Sequence, residues 1–259
     1  MKIAVAGKGG VGKTLVAGVL AEFLANKGFT VLAIDADPSP NLALTLGISA
    51  EEANKIVPIS ENTPLIESKT QTGMPGVYNL AFSVEDIIEQ YSVKTPHGVN
   101  LLVMGTVPYA GGGCMCPANT VIRALLHHLI VKRKEAVIMD MEAGVEHMGR
   151  ATAEHVDTML VVADSSAKSL ETAKKLQALA KELGIKKVFL VGNKVKNPEG
   201  SKLVQEFAKD SGMFLLGLVP CDEQVVKADM KGETLLKNPK KSKAVSAIRE
   251  IGEKLLQAK

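Results

Sequence analysis

The chain has 259 residues, 46% apolar but only 3% aromatic, which is enough for one sizeable core built from aliphatic side chains. Its 31 basic and 28 acidic residues leave a net charge of +3, so there is no bulk attraction toward nucleic acid or anionic lipid. No apolar run approaches the roughly 18 to 20 residues of a membrane span, and three cysteines, two of them one residue apart, make no disulfide framework. A cytoplasmic, single-domain α/β protein over residues 1–259, with no nucleic-acid and no membrane partner, is the expectation.

Lys2 to Ala6 reads as a buried parallel strand, and Lys8-Gly9-Gly10-Val11-Gly12-Lys13-Thr14 follows it directly. Counted from Gly7, the pattern G-x-x-x-x-G-K-T is complete: the glycines let backbone amides turn toward an anion without a side chain in the way. Lys13 is placed to meet β- and γ-phosphates, Thr14 to offer its hydroxyl to Mg²⁺, and the helix from Thr14 to Lys27 sets its positive dipole end beneath them. Thr30 to Ile34 is the second strand, ending in Asp35-Ala36-Asp37-Pro38 where an open α/β sheet holds its ligand. Two readings stand for Asp37: it positions or deprotonates the attacking water, or it caps a short helix beginning near Pro38.

From about Ser49 to Gly98 the periodicity weakens and prolines recur, so this stretch reads as a less regular insertion with short helices near Glu51 and Val84. Asn100 to Met104 returns to strand, and a glycine-rich loop then closes with Gly113-Cys114-Met115-Cys116-Pro117 before a helix through Val121, Leu125 and Leu129. Glu135 to Met139 is an apolar strand finished by Asp140-Met141-Glu142-Ala143-Gly144. After a phosphate loop this D-x-x-x-G looks like a metal-holding aspartate running into a second switch: Asp140 holds Mg²⁺ through water and Gly144 offers an amide to the γ-phosphate. Thr158 to Ala163, Lys187 to Gly192 and Met213 to Leu218 supply three more strands, with helices near 167–183 and 199–209 between them. A final helix from about Lys241 carries Val245, Ile248, Ile251 and Leu255 on one face. The alternation predicts a doubly wound, mainly parallel sheet flanked by helices on both faces.

The C-x-C of Cys114 and Cys116 brings two thiolates near one point yet leaves a soft metal with unfilled positions. If that loop lies on a two-fold axis, two chains supply four sulfurs, which suits Zn²⁺ (Zn–S about 2.3 Å) or Ni²⁺. The alternative is two incidental thiols in a flexible loop. His127 and His128 read as packed or solvated helix residues.

Lys8, at the start of the phosphate loop, marks the deviant form of that motif and resembles the MinD, ParA and nitrogenase iron protein class of ATPases. The resemblance implies ATP and ADP as ligands and a nucleotide-gated homodimer in which Lys8 reaches the partner's phosphates. It also implies a base pocket from Asn193-Lys194 and from Pro220-Cys221-Asp222. GKGGVGKT, DADP, the C-x-C after a glycine stretch and the segment EAVIMDMEAGVEHMGR together are similar to the CooC family, nickel-inserting accessory ATPases. That family implies nickel as the metal and carbon monoxide dehydrogenase, or the related acetyl-CoA synthase, as the client. Two rivals remain: an iron–sulfur carrier or electron-transfer ATPase like the nitrogenase iron protein, and a ParA or MinD positioning ATPase on DNA or membrane.

Overall fold

A computed structural model describes residues 1–37, 39–74, 77–79, 81–105, 117–132, 135–141 and 150–257. Eight strands form one sheet: β1 Lys2–Gly7, β2 Val31–Ala36, β3 Val93–Lys94, β4 Asn100–Val103, β5 Ala136–Met141, β6 Thr158–Ala163, β7 Val188–Val195 and β8 Phe214–Pro220. Their spatial order is β3-β4-β2-β5-β1-β6-β7-β8, and every pairing is parallel except β3 with β4 at one edge. The doubly wound, mainly parallel sheet expected from the strand–helix alternation is therefore the fold.

Strand periodicity splits the core into two layers. Ile3 and Val5 of β1 face a cluster with α1 (Lys13–Asn26), α2 (Leu42–Thr45) and the last helix, α11 (Lys243–Gln257). Ala4 and Ala6, alternating with them, face a second cluster built on α4 (Thr63–Thr70), α5 (Glu85–Tyr91), α6 (Pro117–His127), α8 (Ala167–Glu182) and α9 (Pro198–Ser211). Val245, Ile248, Ile251 and Leu255 are all buried, so the last helix does pack on the sheet.

Several elements differ from the sequence expectation. The helix after Pro38 starts only at Leu42, because Asp35 rather than Asp37 receives the Leu42 N–H, at 2.9 Å. Between 49 and 98 the expected short helices are α3 (Ala50–Ala53) and α5, joined by α4 and the antiparallel strand β3. α6 ends at His127 and runs on into one wider π turn, His128–Lys132, whose Leu129 carbonyl accepts from the buried Lys2 ammonium at 3.0 Å. α7 (Arg150–Ala153) and α10 (Glu223–Lys231) complete the chain. No helix among the described residues is long and apolar enough to cross a membrane.

Candidate functional site

The site lies at the C-terminal ends of the central strands. β1 runs straight into the phosphate loop, whose Gly10 and Gly12 have φ of 80° and 90°, a region that a side chain strongly disfavours. α1 opens at Lys13 with Gly12 as its N-cap, and the Val11 N–H closes the turn onto the Lys8 carbonyl at 3.3 Å. No side chain caps α1, so its first amides remain available to an anion.

A cleft of about 790 Å³ opens over this loop and collects predicted residues from four strand ends. It is lined by Gly9, Gly10, Gly12, Lys13 and Thr14, by Asp37 after β2, by Asn193 and Lys194 on β7, and by Pro220, Cys221 and Asp222 at the end of β8. Val11 is buried beneath the loop, whereas Lys8 is exposed and stands outside the cleft lining. Cys114, Cys116 and Gly144 lie outside the described residues. Among those residues no group of three or more His, Cys, Asp or Glu side chains is placed to hold a metal ion.

Asp140 sits near the end of β5, directly across from Asp35 of β2 in the parallel register, and both are fully buried. Neither carboxylate oxygen of Asp140 meets the geometry of a hydrogen bond, although the Thr14 hydroxyl lies close enough to favour its charged form. Burial pushes its pKa up to about 7; the Thr14 hydroxyl and Lys13 pull down, while the charges of Asp35 and Asp37 push up further. A buried carboxylate with two unpartnered oxygens beside Lys13 and Thr14 fits a hydrated Mg²⁺, which typically takes only one or two protein oxygens and completes its shell with water and phosphate.

Asp35 is the residue that sequence reasoning missed. Its Oδ1 accepts from the Asp37 N–H at 3.2 Å and its Oδ2 from the Leu42 N–H at 2.9 Å, so it fastens the segment that carries Asp37. Burial raises its pKa to about 6, against the lowering effect of those amides. The signal was present in the sequence: a charge at the end of the otherwise apolar run Val31–Ile34 is buried once that run is a central strand. Asp37 itself is half-buried, lines the cleft and accepts from the Ser39 N–H at 2.9 Å through one carboxylate oxygen.

On the far side, Asn193 and Lys194 are joined to the phosphate loop. The buried Asn193 amide donates to the Val11 carbonyl at 2.7 Å, and the Lys194 ammonium donates to the Gly10 carbonyl at 2.7 Å. Asp222 serves as N-cap of α10 through the Gln224 N–H at 2.9 Å, and also accepts from the Ser242 hydroxyl at 2.7 Å and the Ala244 N–H at 3.1 Å. Its burial opposes the charge, but these donors outweigh it and hold the pKa below the usual carboxylate range. Cys221 is exposed, and its N–H donates to the Val195 carbonyl at 2.8 Å.

Residues 2–235 match the CobQ/CobB/MinD/ParA nucleotide binding domain. An ATP-binding protein of Methanocaldococcus jannaschii is 43% identical over 252 residues, covering 96% of both chains. The carbon monoxide dehydrogenase accessory protein CooC of Rhodospirillum rubrum is 44% identical over 236 residues, 90% of this chain and 88% of that protein. In structure, a ParA family ATPase from Chlorobium tepidum superposes with a TM-score of 0.71 at 18% identity, covering 97% of each chain, which supports the fold alone. The chain thus belongs to the CobQ/CobB/MinD/ParA nucleotide-binding family, as a P-loop ATPase similar to the CooC-type accessory proteins.

Proposed function

We propose that the chain is an ATP-hydrolysing accessory protein that delivers nickel to carbon monoxide dehydrogenase, or to the related acetyl-CoA synthase. The observation that carries this reading is the identity to the Rhodospirillum rubrum accessory protein along 90% of the chain. It is joined by a C-x-C pair, Cys114 and Cys116, that ATP hydrolysis by itself does not need.

In this reading ATP fills the cleft. Gly9, Gly10 and Gly12 turn amides toward the phosphates over the buried Val11, and the buried Lys13 places its charge on the β/γ bridge. Mg²⁺ would be held by the Thr14 hydroxyl and, through water, by Asp140; it supplies charge neutralisation on the phosphates. Asp37, fastened by Asp35, orients or deprotonates the attacking water, and the Gly144 amide takes the γ-phosphate. Asn193, Lys194, Pro220, Cys221 and Asp222 shape the base end. Lys8, already exposed, reaches the nucleotide of a second copy, so that ATP closes a homodimer. Four sulfurs from two chains then bind Ni²⁺, or Zn²⁺ in its place, and opening after hydrolysis hands the ion on. To move a closed-to-open ratio from 1:99 to 99:1, ATP must favour the closed dimer by about 5.5 kcal/mol.

Anaerobic size-exclusion chromatography with in-line metal analysis tests the reading in three states: apo, with Ni²⁺, and with a non-hydrolysable ATP analogue. The expected result is a dimer carrying about one nickel per two chains, by the symmetry of the shared site. Cys114→Ser with Cys116→Ser loses the metal and keeps ATP turnover, and Lys13→Ala loses turnover. Retention of Ni²⁺ or Zn²⁺ by the double serine variant sinks the site assignment. A brown protein absorbing near 400 nm shifts it to an iron–sulfur carrier.

A further inference from the structure

β7 breaks a rule that strands normally keep. Successive strand residues point to opposite faces, yet Asn193 and Lys194 both reach the phosphate loop, about 180 residues away in sequence. The cause is a bulge. Gly192 stands opposite Leu218 and Val195 opposite Pro220, so three steps along β7 match two along β8. Within the bulge Lys194 has φ of 56°, the only positive φ outside glycine among the described residues. An extra residue of this kind re-aims a side chain, and a lysine stays in the left-handed region only where its surroundings hold it there.

What the re-aimed side chains hold is informative. Lys194 takes the Gly10 carbonyl and Asn193 the Val11 carbonyl, both at 2.7 Å. A carbonyl turned into an anion site would repel phosphate. Because the trans peptide sets its C=O and N–H on opposite sides, holding the Val11 carbonyl aims the Gly12 N–H away from Asn193, and Gly12 lines the cleft. The fit is close enough that a Cβ on Gly12 would overlap the Asn193 amide and stand 3.8 Å from the Lys194 Cε.

We propose that Lys194 is a positioning residue: with Asn193 it clasps the phosphate loop through the Gly10 and Val11 carbonyls and sets it in its anion-receiving shape before nucleotide arrives. The role rests on reading the cleft as the ATP site, and goes beyond the base contact given to this position above. Lys194 acts through the loop and adds no charge to the γ-phosphate, so its loss weakens ADP and ATP alike.

The test compares Lys194→Met, Lys194→Gly and Lys194→Arg. Mg-ADP and a non-hydrolysable Mg-triphosphate are titrated by calorimetry, and amide hydrogen exchange is followed over residues 9–13 without nucleotide. In the Met and Gly variants both nucleotides lose affinity by about tenfold, the range of one hydrogen bond from a charged donor, and exchange in the loop quickens. Arg, which keeps a charged donor on a long side chain, restores affinity and loop protection. The Gly variant, relieved of backbone strain, guards against misfolding as the cause. Loss confined to the triphosphate, unchanged affinity, or exchange equal to that of the unaltered protein overturns the clasp. Failure of the unaltered protein to bind Mg-ATP instead sinks the ATP-site reading itself.

Discussion

Asp140 and Asp222 both stand near the C-terminal end of a parallel strand, and their surroundings are opposite. Asp140 has two buried oxygens with no partner, and its pKa rises to about 7; Asp222 is held by Ser242, Gln224 and Ala244, and its pKa falls. One carboxylate is left unsatisfied by the fold, the other is used up by it. A carboxylate left unsatisfied suits a ligand, whereas one so fully engaged serves the wall of the cleft, although both are aspartates near the end of a strand in the sequence. Asp222 joins the N-termini of α10 and α11, and so fixes the loop of Pro220 and Cys221 that lines the cleft.

The sharpest way to break this contrast is to exchange each aspartate and read turnover and stability together. Asp140→Asn keeps the shape and removes the charge that would hold the hydrated Mg²⁺. ATP turnover should fall at least about 100-fold, close to 3 kcal/mol of transition-state stabilisation, while thermal stability at pH 8 stays equal or rises. Steady-state ATPase assays across Mg²⁺ concentrations, paired with calorimetry, read both. Turnover within threefold of the unaltered protein would remove Asp140 from the metal site.

Asp222→Ala should behave in the reverse way. Two helix N-termini lose their acceptor, at about 1 kcal/mol each, and the Ser242 hydroxyl loses a charged partner, so stability should drop by about 2–3 kcal/mol. Nucleotide affinity should weaken through the displaced loop, with saturated turnover changed less than about threefold. Urea unfolding at pH 7 gives the first number and an ATP titration the second. Unchanged stability with abolished turnover would place Asp222 among the reacting groups.

This contrast also shows where the sequence was legible. The phosphate loop and the positions of Asp37 and Asp140 at strand ends follow from local spacing, because each lies within a few residues of a strand end; the order of the strands in the sheet does not. Asp222 was equally visible as a residue, but its hydrogen bonds to Ser242 and Ala244 span 20 and 22 positions and cross between two helices, which no periodicity encodes. The bulge at Asn193 and Lys194 was hidden for the same reason: its logic is a contact with Gly10 and Val11 across 184 and 182 positions. Asp35 lay in plain view beside Asp37, yet only the sheet shows that it faces Asp140 and fastens the Asp37 segment from within.

The smallest effect is the most diagnostic, because it separates the buried aspartate and the carboxylates coupled to it from the distant titrating groups. The folded apo protein raises Asp140 from 3.8 to about 7 and Asp35 from 3.8 to about 6, so between about pH 4 and pH 7 it binds more protons than the unfolded chain. The stability from these two groups is therefore fully present below about pH 4, and is lost as pH rises through 6 and 7. Subtracting the Asp140→Asn melting curve from that of the unaltered protein cancels most shared titrations. The unaltered protein should lose about 2 kcal/mol relative to the variant between pH 5 and pH 8, or roughly 4–8 °C in Tm for a domain of this size. Mg-ADP should reverse the trend: it binds the ionised carboxylate, so its stabilisation grows over the same interval in the unaltered protein and stays flat in the variant. A difference curve that does not change with pH would mean that Asp140 is already ionised and partnered in the apo protein. The contrast with Asp222 would then collapse, and with it the reason for assigning the metal to that strand end.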